Sequence, residues 1–444
     1  MVEIKLSDRF TYGKLFRFAL PSVVMMLFSS IYGVVDGLFV SNFVGKTEFA
    51  AINLLMPVLM IIGAFGFMIG AGGTAVVSKT LGEGETRLAN RYFSLFVYLI
   101  IAVGVSMSLL GVAFIRPLSM MLGAEGAMLD ACIRYGRIVL AAMPFFMLQN
   151  LFQSFLIVAE RPKLGLAVTV CAGVTNMVLD ALLILVIPLG LEGAAIATST
   201  SQFVGGIIPV IFFARKNSSQ LALTKTKFYG KALLRAVTNG SSELMSNISM
   251  SIVTMIYNFQ LMRLVGEDGI AANGIIMYVA FIFIAMFLGF SVGTAPIIGY
   301  HYGAQNTDEL KSLLRKGATV MLVGGSVLSI ISIVLAEPLS MIFAGYDPHL
   351  VEMTANGLRI HSTCFVFASL GIFGSSYFTA LNNGLISAVI SFTRTLVFQI
   401  GALLLLPLFL DLNGVWLATP VSEVLSLILT VILFIANRKR YKYF

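Results

Sequence analysis

The 444 residues carry 29 Lys and Arg against 21 Asp and Glu, a formal net charge of +8, yet only 11% are charged and 58% are hydrophobic, with a mean hydropathy of +0.95. Soluble domains carry about 25% charged residues, so this chain lacks the polar supply for a water-facing coat and lipid must cover most of it. The basic residues are scattered through short loops, which reads as membrane topology and argues against a nucleic-acid partner; the three cysteines, Cys132, Cys171 and Cys364, are widely spaced in apolar segments, which excludes a disulfide framework or a zinc site.

A spanning helix needs about 20 mostly apolar residues. In chain order that length predicts twelve spans, at 18–43, 49–76, 92–114, 128–158, 165–187, 193–213, 236–263, 270–298, 317–336, 350–378, 385–408 and 414–437. The first apolar run follows Lys5, Asp8, Arg9, Lys14 and Arg17 and lacks a cleavage site, so it reads as a span and not as a secretory signal. Connections are short, which leaves no room for a separate soluble enzyme domain. The polar stretch 214–235 is the longest, and it divides the chain into an N-terminal lobe, 1–213, and a C-terminal lobe, 236–444, with a basic tail.

Lysine and arginine set the orientation. Those before span one, in the loops after spans two, four and eight, in the linker and in the tail all fall on one side. The other side holds only Lys46, Arg116, Arg134, Arg137, Arg263 and Arg359, and Arg394 lies inside span eleven. This bias places both termini in the cytoplasm and requires an even number of spans. A gap-free shift of 221 residues also maps the chain onto itself. It aligns Val44-Gly45 with Val265-Gly266, Gly82 with Gly303, Gly136 with Gly357, Ser154 with Ser375, Gly193 with Gly414 and Ala197-Thr198 with Ala418-Thr419. Six spans per repeat preserve direction, so the fold class expected is an all-α integral membrane protein of two same-direction six-helix lobes with a cavity between them.

Ionisable groups inside a bilayer are costly and are functional candidates by default. They are Asp36, Asp180, Glu243, His361, Arg394 and Glu423. A rise of about 1.5 Å per residue puts Asp36 and Asp180 about 11–12 Å from the outer ends of their spans, with Tyr135 and Thr198 at about 8–11 Å. Asn176 precedes Asp180 by four residues and shares its face. This five-residue set suits a proton, because low dielectric raises a carboxylate's proton affinity, or a sodium ion at Asp36, Asn176, Asp180 and Thr198, because carboxylate, amide and hydroxyl oxygens suit a hard cation. The second half does not copy it: by the 221 shift Asp180 falls opposite Gly401, or Gln399 if the preceding loop slips by two. Arg394 and Glu423 lie near mid-depth and are read as a structural ion pair. Asn150 and Gln153 share a face that would suit a cavity wall. Glu243, nearer the cytoplasmic end of span seven, is a candidate for a cationic substrate, and Gln202 and Tyr257 complete the candidate substrate-binding set. No ATPase, metalloprotease or serine-hydrolase motif is present, so energy must come from an ion or substrate gradient or from another chain.

Along nearly its whole length the chain resembles the multidrug and toxic compound extrusion (MATE) family, in its MepA-like bacterial branch. The resemblance rests on Pro21 with VVDGLFVS at 34–41, Gly-Glu-Gly at 82–84, NMVLD at 176–180, GAAIATSTSQ at 193–202, GEDGIAANG at 266–274 and GTAPIIGYHYGAQN at 293–306. It implies a V-shaped pair of lobes, alternating access, and export of organic cations and amphipathic drugs against proton or sodium entry. It also implies a coupling role for Asp36, Tyr135, Asn176, Asp180 and Thr198, a cavity role for Asn150 and Gln153, and a match of Glu243 to the span-seven acid of NorM-like members. The span-ten aspartate that accompanies that acid is missing, and Glu352 sits at the outer edge instead. The expectation is a cell-membrane (cytoplasmic or inner) multi-pass protein, functional as a monomer, with no cofactor beyond the coupling ion and no enzymatic activity. A lipid-linked oligosaccharide flippase of the same superfamily, a membrane-embedded enzyme and a channel are the alternatives.

Overall fold

The computed structural model describes residues 4–345 and 347–443, without the side chains of Val34, Leu38, Ser41, Asn42, Lys46 and Ser251. The Lys46 side chain, counted above on the less basic side, thus lies outside the described residues. The described residues are mostly helical and contain no strand. In order the helices are α1 (Tyr12–Phe43), α2 (Lys46–Gly82), α3 (Thr86–Met121), α4 (Gly126–Ala141), α5 (Met143–Val158), α6 (Pro162–Asp180) and α7 (Gly190–Ala214). The second half holds α8 (Gly230–Val265), α9 (Glu267–Gly303), α10 (Thr307–Val334), α11 (Ala336–Ala344), α12 (Pro348–His361), α13 (Cys364–Ala380), α14 (Gly384–Phe392), α15 (Gln399–Leu405) and α16 (Pro407–Tyr441). Two π-helical segments, Ala181–Val186 and Thr393–Phe398, extend α6 and join α14 to α15.

Ten segments are long and apolar enough to cross a membrane, and the bent pairs α4–α5 (51°) and α12–α13 (46°) bring the number to twelve when each pair is one span. Each of the twelve expected spans falls on one of these. The bends were not read from sequence, although Pro144 at the start of α5 marks the first, because proline is tolerated in the opening turn of a new helix. α11 is too short to span. At the start of α16, Asp411 has φ 47 and ψ −129, so the straight last span begins after it, near the expected residue 414.

The stretch between the halves is non-helical from Arg215 to Tyr229, and its last residues, read from sequence as linker, begin α8. It is pinned to the start of α3. The Ala222 N–H donates to Asn90 Oδ1 at 2.6 Å and the Thr224 N–H to Ser94 Oγ at 2.9 Å, and Leu221 is fully buried. These contacts satisfy a backbone that has no helix to satisfy it.

The Glu160 carboxylate accepts from both Leu6, before α1, and Gln220 of this linker. The Tyr441 hydroxyl accepts from Asn383, next to Gly384, whose N–H donates to Asn239 of α8; we call the face they share the basic end. Residues before α1 strap across it. The Leu6 N–H donates to Glu160 Oε1 in the first half at 2.6 Å, and the Phe10 N–H donates to Glu309 Oε1 in the second at 2.8 Å. The Lys316 ammonium donates to the Phe10 carbonyl, and Leu6 and Phe10 are buried.

The halves meet where their helices cross near this end. α2 packs on α8 and α9, and α1 packs on α9. At the α2–α9 crossing a methyl group on Gly82 would overlap the Tyr300 carbonyl, and one on Gly303 would overlap the Lys79 carbonyl. Shifting Gly82 and Lys79 by 221 gives Gly303 and Tyr300, so the two contacts are one contact repeated by the internal symmetry. At the α2–α8 crossing Gly72 lies against the Ala236 carbonyl and Gly240 against that of Met68. Lipid offers little hydrophobic drive between helices, so close backbone approach through small residues supplies the packing. Gly303→Ala should therefore force α2 and α9 apart and cost about 1–3 kcal/mol of stability, whereas Gly324→Ala, with open space around it, should not. Thermal unfolding of the purified variants checks this; equal midpoints for the two would contradict it.

Candidate functional site

Asp36 lies in the far half of α1, well away from the sealed crossings, and Asn176 and Asp180 close the last turn of α6. α1 packs directly on α6, which brings the three together. Asn176 Nδ2 donates to Asp36 Oδ1 at 3.5 Å. The Asp36 and Asp180 carboxylates lie within hydrogen-bonding reach of one another. Asp180 is fully buried, and among the described residues neither of its oxygens has a donor. The other orphan is Asn176 Oδ1, also buried. Two ionised carboxylates are acceptors only. They can hydrogen-bond to each other only through a proton, and they can otherwise share only a cation.

Position explains the unusual exposure of acceptors to acceptors. Asp180 is the last α-helical residue before the π-helical segment Ala181–Val186. A π turn inserts an extra residue per turn, re-aims the side chains beside it and is common at functional sites. Nothing in the local sequence announces it, which is why it was not expected. Tyr135 is buried on α4 within electrostatic reach of both carboxylates. Tyr32 was missed. It sits one helical turn before Asp36, lies within electrostatic reach of it and contacts Gln149. Spacing of four residues on α1 was the available signal. Thr198 is half-buried on α7, and its hydroxyl makes no hydrogen bond to either carboxylate among the described residues.

The donor set fits a hard cation: two carboxylates and an orphaned amide oxygen, with no nitrogen or sulfur ligand. No group of three or more His, Cys, Asp and Glu side chains is placed to hold a metal among the described residues.

The second half carries a neutral counterpart. Shifting Asp36 and Thr198 by 221 gives Tyr257 and Thr419. The Tyr257 hydroxyl lies 2.7 Å from Thr419 Oγ1, and Gln399 Nε2 donates to the same oxygen at 3.1 Å. Tyr257, expected to bind substrate, is thus buried and engaged. The other residues of that expected set do not converge. Asn150 is buried with its amide directed at the Gly63 carbonyl, and Gln202 is buried with Oε1 unpartnered. Gln153 lines a cavity of about 10 Å³ with Gln149, Thr169 and Gly205, room for about one water. A larger cavity of about 500 Å³ lies between α11 and α12 and touches none of these residues. Only Glu243, on α8, is partly exposed. Arg394 Nε lies 3.3 Å from Glu423 Oε1.

Residues 21–182 and 244–403 each match the MatE family model. The chain belongs to the MatE family. The model matches once per half, in keeping with the internal repeat. MatE proteins are membrane transporters and not enzymes. Among curated relatives the chain is similar to the multidrug export protein MepA of Staphylococcus haemolyticus (strain JCSC1435), 23% identical over 97% of this chain and 94% of the relative. It is likewise similar to MepA of Staphylococcus aureus (strain MRSA252), at 22% identity with the same coverage. The fold matches an outward-facing conformation of a multidrug-resistance MATE-family transporter of the MOP superfamily with a TM-score of 0.92, at 22% identity over 100% of this chain and 98% of that one.

If Asp180 is held by no donor, replacing it is structurally cheap. Asp180→Asn should insert normally and unfold at or above the wild-type temperature, since it removes one of two facing acceptors. A loss of about 3 kcal/mol or more, the usual cost of breaking a buried pair, would show that a partner holds the carboxylate.

Proposed function

We propose that this protein is a secondary active exporter of organic cations and other amphipathic drugs, driven by proton or sodium entry, with its basic end and both termini in the cytoplasm. One observation carries the coupling part: the half-buried Asp36 and the buried Asp180 face each other, and no described residue donates to Asp180. Such a pair is stable when it holds a proton or a cation and is strained when it is empty. The printed names of the MepA relatives carry the drug-export part.

The cycle follows from where the lobes touch. Their close approaches lie near the basic end, so the cleft opens toward the other side, where the loops carry few basic residues. In this state Asp36 is reachable from outside, being less buried than Asp180. An entering ion fills the pair, removes the repulsion between α1 and α6 and changes how α1 packs against α9. Rocking about the glycine crossings then opens the basic end. A coupling ion biases two states only through a difference in its affinity for them, and the facing carboxylates supply that difference. Substrate enters the inter-lobe cleft, because the cavity inside the first lobe is too small for a drug.

Asp36→Asn and Asp180→Asn should each abolish gradient-driven efflux of tetraphenylphosphonium or a quaternary ammonium dye from proteoliposomes, with abundance near wild type. Asn keeps the shape but cannot change charge. Asn176→Ala and Thr198→Ala should weaken coupling less. The proton and sodium gradients are imposed separately. Normal efflux in both Asp variants would move coupling away from this pair, and equal or better transport of matched anions would overturn the substrate class.

A further inference from the structure

The ion pair in the second half is not self-contained. Arg394 sits in the π-helical segment Thr393–Phe398 of span eleven. That segment packs on both α8 and α16. On the α16 side Glu423 Oε1 lies 3.3 Å from Arg394 Nε, with side-chain exposures of 18% for Arg394 and 7% for Glu423. On the α8 side Glu243 lies within electrostatic reach of the same guanidinium; Glu243 and Arg394 are both half-buried, and Glu423 alone of the three is buried. Arg394 therefore has an acid on each side, and Glu423 is the more deeply buried of the two.

The pair is also under-satisfied for a scaffold. Arg394 Nε, which meets Glu423 Oε1 as an ion pair without a hydrogen bond, Glu423 Oε2 and the neighbouring Ser426 hydroxyl are buried and make no hydrogen bond among the described residues. Gly371 lies beside them, and a methyl there would sit 3.7 Å from Glu423 Oε2 and 4.0 Å from Arg394 Cδ, so the guanidinium is not clamped by bulk. A buried pair retained for stability alone has its remaining lone pairs and protons satisfied.

We propose that Arg394 is a tethered competitor for the cationic substrate at Glu243, held back from it by Glu423. With Glu423 engaging the guanidinium, Glu243 keeps its negative charge free for a drug cation in the cleft. If Glu423 loses its charge, the long Arg394 side chain turns to Glu243 and occupies the position the substrate needs. Arg394 thereby sets how strongly, and for what charge, the second lobe holds its cargo, while ion coupling stays with the first lobe. The inference rests on the proposed export of organic cations.

The test is equilibrium binding of tetraphenylphosphonium to the purified full-length protein, with thermal unfolding measured in parallel. Coulomb interactions at an effective dielectric near 20 set the expected sizes. Glu423→Gln should weaken binding on the order of tenfold, because the freed guanidinium neutralises Glu243. The neutral pair Arg394→Gln with Glu423→Gln should bind on the order of threefold tighter than wild type, because the competitor is gone. That double variant leaves no uncompensated charge, so it keeps the fold even where a single change does not. Opposite signs for the two variants support the proposal. Unchanged affinity in both, or shifts of the same sign, would overturn it and leave the pair a structural one. Binding unaffected by Glu243→Gln would overturn it as well. A wild-type protein that does not bind the cation would overturn the exporter reading and this inference with it.

Discussion

A carboxylate placed among lipid-covered helices must have a donor, a proton or a cation, because the medium supplies none. Asp180 is fully buried, has no donor among the described residues, and faces Asp36. Everything else around it serves to keep that confrontation in place. The π turn after Asp180 aims the side chain, the packing of α1 on α6 sets the separation, and Asn176 donates to Asp36 and not to Asp180. A network completed by hydrogen bonds would be rigid and inert. This one is left incomplete, as the proposed ion-binding role requires.

The two halves share a frame but not a site. The reciprocal contacts of Gly82 with Tyr300 and of Gly303 with Lys79 show the repeat preserved where the lobes must seal against each other. At the ligand level it has diverged. The positions of Asp36 and Thr198 are taken in the second half by Tyr257 and Thr419, which form a neutral, fully bonded cluster with Gln399. The charges of that half sit elsewhere, on Glu243, Arg394 and Glu423. The proposed division of labour between ion and cargo rests on this difference: the first lobe holds two facing carboxylates, and the second has its charges at other positions.

Much of this was legible in the sequence. Span length is set by bilayer thickness, so the twelve apolar runs and the basic-residue bias were readable without a fold. Intramembrane acids are rare enough to stand out, and the shared depth of Asp36 and Asp180 with the four-residue spacing to Asn176 pointed to one site. The bends between α4 and α5 and between α12 and α13, the two π turns and the α11 helix were not legible, because each depends on tertiary contacts and not on local pattern. Tyr32 was overlooked because a tyrosine in an apolar span is common. The substrate-binding set was the least readable part. Depth and polarity do not say which way a side chain points, and Asn150 and Tyr257 turn out to be engaged within their own lobes.

The central claim is that cargo and coupling ion are linked through the Asp36–Asp180 pair. Calorimetry of tetraphenylphosphonium binding in buffers of different ionisation enthalpy, repeated with and without sodium, measures that linkage directly. The account predicts that binding releases a proton, or is weakened by sodium, and that both effects vanish in Asp36→Asn while binding itself survives. Cation binding that is indifferent to pH and to sodium in the wild-type protein would contradict it.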